Sequence, residues 1–329
     1  MNAVKCEHVI HRFGTTTVLD GATLSIDSGT VVGLLGRSGV GKTTLLRILA
    51  GLEPCASGSV VWERNGARVN APPRIGMVFQ NLALWPHLTA RQHIECVLEA
   101  LPRDERTRRT EQALADVQLP VAAWTLRPSA LSGGEGQRLA LARAIAIEPE
   151  VLLLDEPLAH LDLALRGELL ALLRRLLHRR NLTAVYVTHS WVEAFELCGR
   201  IALLDAGRIV QDGSPSDVFW RPASAAVARL TGPVVELPES WLTEGRVQSA
   251  LPAGAPWPLR EACGGTLLVR PQHLKTVSPS GGNRWTVAKV WPHDSGYRTV
   301  LTNEACELTA PLAAPLNAGD TVGLRLMDG

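Results

Sequence analysis

Residues 34–46 are LLGRSGVGKTTLL, in which three glycines lead to a lysine and two threonines. The apolar, β-branched run at 30–35 predicts a strand before this loop. Residues 42–50, followed by Gly51, predict a helix after it. Glycines leave backbone N–H groups free to surround an anion, and the positive end of the helix dipole points at the same place. The segment therefore predicts a loop that binds phosphate.

The stretch from Gly36 to Thr43 fits the GxxxxGK[ST] pattern of a Walker A loop. Lys42 can reach the β and γ phosphates of a nucleotide, and the Thr43 hydroxyl can bind Mg²⁺. The alternative is a chance glycine turn, which the flanking strand and helix disfavour. We predict that ATP is bound by Gly36, Arg37, Ser38, Gly39, Val40, Gly41, Lys42, Thr43 and Thr44.

Two carboxylates end the apolar segment VLLLDE, residues 151–156. Because parallel strands collect their carboxyl ends at one edge of a sheet, Asp155 is predicted to help hold Mg²⁺ there. Glu156 would face the γ-phosphate and orient the attacking water. A solvated acidic strand end is the alternative, and the preceding phosphate loop favours the catalytic interpretation.

Strand-like and helix-like segments alternate as far as about residue 230, which predicts a mostly parallel sheet covered on both faces. Residues 231–265 are rich in proline, glycine and alanine. Short β-like runs follow and predict a small all-β domain. These runs are 266–270, 285–290, 297–302 and 321–326.

Composition excludes several classes of function. The chain has 33 basic and 32 acidic residues and a net charge of +1, so it lacks the electrostatic signature of a nucleic-acid-binding protein. Its six cysteines are scattered without a CxxC pair, which predicts buried or free thiols instead of a zinc site or a disulfide framework. Every apolar run is shorter than the roughly 20 residues of a membrane span. Any membrane crossing therefore belongs to another chain.

The second glycine-rich segment, LSGGEGQR at 131–138, carries a family resemblance. It is similar to the LSGGQ signature of the nucleotide-binding subunits of ATP-binding cassette (ABC) transporters. In that family the signature meets the γ-phosphate bound by the opposite subunit, which implies a head-to-tail homodimer with two ATP molecules. The resemblance implies nucleotide contacts for Ser132, Gly133, Gly134 and Glu135. Glu135 stands where glutamine is usual, a substitution that the family tolerates.

Other motifs of the family follow in order. Phe13 matches the aromatic residue that stacks on adenine, with core packing as the alternative. Gln80 matches the Q-loop glutamine, which contacts Mg²⁺ and senses the membrane subunit. Asp162 matches the aspartate of the D-loop, where His160 is an unusual neighbour without an assigned role. His189 matches the switch histidine, which binds the γ-phosphate and holds the catalytic geometry.

The resemblance covers about residues 3–235 and implies an α/β P-loop NTPase fold, a RecA-like core with a helical subdomain. The segment LLVRPQHL, 267–274, resembles part of the TOBE-type domain of ABC importers, with Gln272 in place of glutamate. That domain is OB-like and regulates or dimerises. The implied domains are the ABC ATPase, its helical subdomain, a linker and the OB-like regulatory domain, at about 1–235, 86–148, 236–265 and 266–329.

The implied function is ATP hydrolysis that drives import of a small solute, with ATP and Mg²⁺ bound at the cytoplasmic face of the inner (plasma) membrane. The partners would be integral membrane permease subunits and a periplasmic or extracellular solute-binding protein, with no nucleic acid. The short tail resembles that of importers of ferric iron or other small solutes. Leu84, Trp85 and Pro86 would line a groove for the permease or belong to the core.

Two rivals belong to other classes. A soluble ABC protein acting on ribosomes or DNA typically carries two cassettes or long insertions, and this sequence has neither. An exporter subunit is disfavoured by the TOBE-like tail.

Overall fold

The computed structural model describes residues 2–64, 67–69, 72–159, 161–244, 246–249, 259–260, 266–270, 274–279, 283–293, 296–303, 306–312 and 316–326. The chain forms two compact units, Met1–Pro215 and Ser216–Gly329. The boundary between the two units follows Pro215. The domain limits that the sequence predicts, for the ATPase domain, its helical subdomain, the linker and the tail, stay a prediction.

The first unit contains ten strands and six α-helices among its described residues. The strands are β1 (Asn2–Phe13), β2 (Thr16–Ile26), β3 (Val31–Leu35), β4 (Ser57–Arg64), β5 (Ala67–Val69), β6 (Ile75–Val78), β7 (Val151–Asp155), β8 (Thr183–Val187), β9 (Arg200–Asp205) and β10 (Arg208–Gly213). The helices are α1 (Lys42–Leu49), α2 (Ala90–Val97), α3 (Arg103–Asp116), α4 (Gly133–Ala146), α5 (Leu163–Arg179) and α6 (Trp191–Leu197), with short 3₁₀ turns at Val121–Ala123 and Pro128–Ala130.

A six-stranded sheet with the order β10-β9-β3-β8-β7-β6 forms the centre of this unit. Strands β9, β3, β8, β7 and β6 pair in parallel, and only β10 is antiparallel to its neighbour. Every residue of β7 and β8 is buried, as expected for strands covered on both faces. This is the covered parallel sheet that the alternation of strands and helices predicts.

A second sheet, antiparallel and ordered β2-β1-β4-β5, packs with the first around helix α1. Leu45, Leu46 and Leu49 of α1 share one buried cluster with apolar residues of β1, β2, β3, β7 and β8. The helix that follows the glycine loop is therefore held on several sides by the core, which fixes the loop in front of it.

Helices α2, α3 and α4 lie between β6 and β7 in the sequence and pack against one another. Thr89 caps α2 and Ser132 caps α4, each in a reciprocal capping box with the residue three positions later. No helix within the described ranges is long and apolar enough to cross a bilayer.

The second unit is mainly β-sheet. Its helices are α7 (Pro215–Trp220), α8 (Ala225–Leu230) and α9 (Ser240–Thr243), and its strands are β11 (Val235–Pro238), β12 (Gln248–Ser249), β13 (Leu259–Arg260), β14 (Thr266–Val269), β15 (Leu274–Val277), β16 (Trp285–His293), β17 (Gly296–Asn303), β18 (Cys306–Leu312) and β19 (Thr321–Leu326). One sheet has the order β11-β14-β13, and the other has the order β12-β19-β16-β17-β18, with β15 also on β19. Half of the predicted linker, and Gln272, lie outside the described residues.

Two features hold the second unit together. Trp241 and Trp285 meet with ring centroids 5.1 Å apart inside an apolar cluster. Arg270, at the end of β14, is fully buried, and burial lowers its pKa to about 10. Its guanidinium lies 4.2 Å from the ring centroid of Phe219. It donates hydrogen bonds to the carbonyls of Phe219, Ala228 and Pro233 and to the Thr231 hydroxyl.

Candidate active site

The loop from Gly36 to Gly41 joins the end of β3 to the start of α1 and needs its glycines for two reasons. A Cβ atom at Gly36 would stand 2.4 Å from the Leu204 carbonyl oxygen, so no larger residue fits there. Gly39 and Gly41 have φ angles of +79° and +107°, which strain other residues. Gly39 is exposed at the tip of the loop. The backbone is thus open to solvent where a phosphate would approach.

Lys42 is turned back into this loop. Its side chain is 5% exposed, and Nζ donates to the carbonyl oxygens of Gly36 and Arg37 at 2.9 and 3.0 Å. Burial lowers the pKa of Lys42, while the nearby Glu156 and Asp155 carboxylates oppose that shift. The loop therefore holds an ammonium group beside its own backbone, ready for an anionic ligand.

Thr43 and Asp155 meet at the base of the loop. Thr43 Oγ1 donates to Asp155 Oδ1 at 3.0 Å, and Asp155 is 2% exposed. Burial raises the pKa of Asp155, and the hydrogen bond from Thr43 opposes the rise. A hydroxyl and a buried carboxylate are hard oxygen donors of the kind that Mg²⁺ prefers. The pair fits the predicted metal role. Thr44 follows, half-buried in the first turn of α1.

Glu156 lies where three other segments converge. Its Oε1 is 4.0 Å from Lys42 Nζ. Its Oε2 accepts a hydrogen bond from Gln80 Nε2 at 3.4 Å and lies 3.5 Å from His189 Nδ1. Glu156 has a φ angle of +44°, an uncommon conformation for a residue with a side chain. Such strained positions concentrate at functional sites.

The sheet order explains this convergence. Gln80 follows β6, Glu156 follows β7, His189 follows β8, and the glycine loop follows β3. These strands are parallel neighbours in the order β3-β8-β7-β6, so their carboxyl ends share one edge. Residues up to 153 positions apart in sequence, 36 to 189, therefore lie in one site.

The signature segment is organised differently. Ser132 caps α4, and its backbone N–H and its hydroxyl both donate to Glu135 Oε2 at 2.8 Å. The Glu135 N–H donates back to Ser132 Oγ at 3.3 Å. The hydrogen bonds from Ser132, backbone first and then hydroxyl, lower the pKa of Glu135. Among the described residues, Ser132 and Glu135 make these side-chain hydrogen bonds with each other and none with the glycine loop at Lys42.

Comparisons with known proteins agree with this geometry. A family model described as ABC transporter matches residues 19–159. The sulfate/thiosulfate import ATP-binding protein CysA of Bradyrhizobium diazoefficiens is 38% identical over 98% of this chain and 97% of its own length. The Fe(3+) ions import ATP-binding protein FbpC 1 of Rhizobium meliloti is 43% identical over 70% of this chain and 66% of its own length.

The chain belongs to the ATP-binding subunits of ABC importers. Such subunits hydrolyse ATP to power transport, so the predicted family and activity are confirmed. A dimeric ATP-binding cassette solved in a post-hydrolysis state with ADP and Pi superposes with a TM-score of 0.57 at 29% identity. It covers 64% of this chain and 98% of its own length, which confirms the predicted fold class.

The structure also shows the surroundings of two other predicted site residues of this ABC subunit, Phe13 and Asp162. Phe13, at the end of β1, is 54% exposed and touches the rest of the chain through an edge contact with His11, 4.7 Å between ring centroids. Its ring is therefore on the surface and outside the core. Asp162 caps α5, accepting from the Leu165 N–H at 2.9 Å. His160 lies outside the described residues.

The segment after Gln80 lines a groove of about 300 Å³ beside Trp85. Trp85 is 38% exposed, and its ring stacks on buried His93 with the Arg143 guanidinium 5.3 Å from its centroid. Arg143 also donates to the carbonyls of Leu82 and Ala83, both of which have positive φ. Burial first, and then the charge of Arg143, lowers the pKa of His93.

Sequence reasoning missed two of these residues, His93 and Arg143, and the capping role of a third, Glu135. His93 and Arg143 support the Trp85 groove through contacts that span up to 61 positions, which no local pattern encodes. The capping role of Glu135 could have been found, because SGGE at 132–135 fits the Ser-x-x-Glu pattern of a capping box.

Proposed function

We propose that this ABC subunit hydrolyses ATP at the site around Glu156, with that carboxylate orienting the attacking water. The observation that carries the proposal is the approach of Lys42, Gln80 and His189 to the same carboxylate. Lys42 and the backbone N–H groups of the glycine loop neutralise the β and γ phosphates. His189 binds the γ-phosphate and holds Glu156 in place.

Thr43, Asp155 and Gln80 would hold the Mg²⁺ that accompanies ATP. The ion would neutralise phosphate charge, while the chain's own groups position the reactants. The Thr43–Asp155 contact supports this assignment, because Thr43 Oγ1 and Asp155 Oδ1 already lie 3.0 Å apart.

A second copy of the chain completes the site. Ser132, Gly133 and Gly134 of that copy contact the γ-phosphate, so two head-to-tail chains enclose two ATP molecules. The dimeric form of the structurally similar cassette supports this arrangement. Exposed Phe13 stacks on the adenine.

The dimer acts at the cytoplasmic face of the membrane on permease subunits, which receive solute from a binding protein on the other side. The Trp85 groove is the docking place for the permease, since it adjoins Gln80 and presents an apolar ring to solvent.

The transported solute is an oxyanion of the sulfate class. The sulfate/thiosulfate relative from Xanthomonas campestris is 40% identical over 98% of this chain, so the likeness extends into the second unit. The ferric-iron relative covers 70% of this chain.

The test is deletion of this chain in its host, with growth measured on sulfate, thiosulfate, ferric iron and cysteine. We expect growth to fail on limiting sulfate and to recover with cysteine or with the restored chain, but not with the Glu156→Gln variant. Failure on limiting iron alone would overturn the sulfate assignment and leave the ATPase assignment intact.

A further inference from the structure

A buried carboxylate outside the proposed active site has an unusual set of partners. Glu193, in the first turn of α6, is 6% exposed. Its Oε2 accepts from the Tyr186 hydroxyl at 2.8 Å and from Thr188 Oγ1 at 2.7 Å. A carboxylate buried this deeply is tolerated only when its oxygens are paired. The two hydroxyls therefore form a fixed polar cluster with Glu193.

Tyr186 remains a donor in this cluster. Burial first, and then repulsion by the Glu193 carboxylate, raises the pKa of Tyr186 well above its ordinary value. The phenol therefore keeps its proton at physiological pH, and its hydrogen bond to Glu193 has a fixed direction.

Thr188 passes the effect of Glu193 to the residues around His189. Its hydroxyl proton is committed to Glu193, so the same oxygen is free to accept, and it accepts from the Ser190 N–H at 2.9 Å. The Thr188 N–H donates to the Leu34 carbonyl of β3. The backbone is consequently tied down on both sides of His189, whose own side chain is 62% exposed.

The other oxygen of Glu193 faces helix α5. Its Oε1 lies 3.9 Å from Arg166 Nε, a buried atom without a hydrogen-bond partner among the described residues. Arg166 also donates to the Leu161 carbonyl at 3.4 Å, beside Asp162. Glu193 thus stands between the D-loop segment and the histidine.

We propose that Glu193 is a positioning residue for ATP hydrolysis, which fixes the backbone around His189 through Thr188 and connects that backbone to the D-loop segment through Arg166. The inference rests on the proposed roles of His189 and Glu156. Glu193 acts on the orientation of the imidazole and leaves ATP binding to the glycine loop.

The first test compares Thr188→Val with Thr188→Ser in the full-length chain. Valine has the shape of threonine without the hydroxyl, so we expect kcat to fall by about 10- to 100-fold, the effect of a small misplacement of a catalytic group, with KM for ATP nearly unchanged. Serine restores the hydroxyl and should restore kcat. Tyr186→Phe is the comparison: it removes the other hydrogen bond to the same Glu193 oxygen while Thr188 keeps its own, so the Tm should fall and kcat should fall less than in Thr188→Val.

The second test is a double-mutant cycle between Glu193→Ala and His189→Ala. Alanine removes the acceptor of both hydroxyls. If Glu193 acts through His189, Glu193→Ala reduces kcat in the wild-type chain and adds nothing to the residual rate of His189→Ala. Equal losses in both backgrounds would show a merely structural role and overturn the inference.

The two proposals fail in different ways. A wild-type chain without ATP hydrolysis, or an active Glu156→Gln variant, contradicts the proposed function. A normal wild-type rate that is indifferent to Thr188→Val contradicts only the role of Glu193.

Discussion

The two glycine-rich loops of this chain differ in what surrounds them. The loop before α1 has its own cation, Lys42, and faces the carboxylates that follow β7. The loop before α4 is closed by its own cap, with Ser132 and Glu135 bonded to each other. The first loop is equipped to bind a nucleotide within one chain, whereas the side-chain hydrogen bonds of Ser132 and Glu135 stay within the second loop, among the residues that the structure describes. This difference predicts separate effects of mutation on binding and on assembly.

The largest effect is expected from Glu156→Gln. Loss of a carboxylate that orients the attacking water should lower kcat by about 10²- to 10⁴-fold, while ATP affinity is retained. Phosphate release measures the first quantity and equilibrium dialysis with ATP the second. A normal rate of phosphate release by Glu156→Gln would contradict the proposed role of Glu156. A dimer of this variant that persists in the presence of ATP would support the proposal that two copies of the chain form the site.

Lys42→Ala should remove nucleotide binding from the first loop. A buried ammonium that contacts phosphate contributes about 1.5–3 kcal/mol, so we expect ATP affinity to fall by about 10- to 150-fold. The control is Arg174→Ala, which removes an exposed cation of α5 outside this loop. Equal affinities for wild type and Lys42→Ala would show that this loop does not bind the nucleotide.

Alanine at Gly133 tests the second loop alone. Beyond its own helix and chain neighbours, a Cβ at Gly133 meets no atom of the described residues within 4 Å, and alanine in a first helical turn is tolerated. We expect an unchanged Tm and unchanged ATP binding, with kcat reduced by about tenfold or more because the added methyl lies where the second copy must approach. Gly36→Ala is the opposite case, since its Cβ would meet the Leu204 carbonyl; it should lose stability as well as binding. Full activity of Gly133→Ala would argue against assembly through this loop.

Phe13→Ala should have a smaller effect. Stacking of a base on an aromatic ring contributes about 1–3 kcal/mol, so ATP affinity should fall by roughly 5- to 150-fold, with a lesser loss for Phe13→Trp. Because the ring is exposed, the Tm should hardly change. A large drop in Tm would favour a packing role.

The smallest effect concerns the cap of the second loop. Glu135→Gln keeps an acceptor for the Ser132 N–H but removes the charge. The folded-state pKa of Glu135 is lowered, so its contribution is present above the ordinary value of 4.5 and is lost as the pH falls through the folded value. The wild type should exceed the variant in Tm at neutral pH, by about a degree or less, and this difference should vanish in acid. A gap that widens in acid would contradict the assigned sign.

Much of this site is predictable from the sequence because its residues end strands. Asp155, Glu156 and His189 directly follow apolar runs, and the parallel sheet brings such ends together. Glu193 and Arg143 were not predictable, because their partners depend on how separate helices pack. In the second unit, β16, β17 and β19 fall where the β-like runs lie. Strand β18 was missed. Among the described residues it is an edge strand paired with β17, and it contains a proline, which edge strands tolerate.

Arg270 has a consequence for how the chain can be divided. Its hydrogen-bond acceptors lie between Phe219 and Pro233, whereas the arginine itself follows β14. A fragment that stops at residue 235 would keep the acceptors and lose their buried donor, and its end would unravel in water. A fragment that stops at Pro215 contains neither Arg270 nor these acceptors. The natural cut for an isolated ATPase fragment therefore lies at the start of α7, and the segment that contains α7 and α8 stays with the tail.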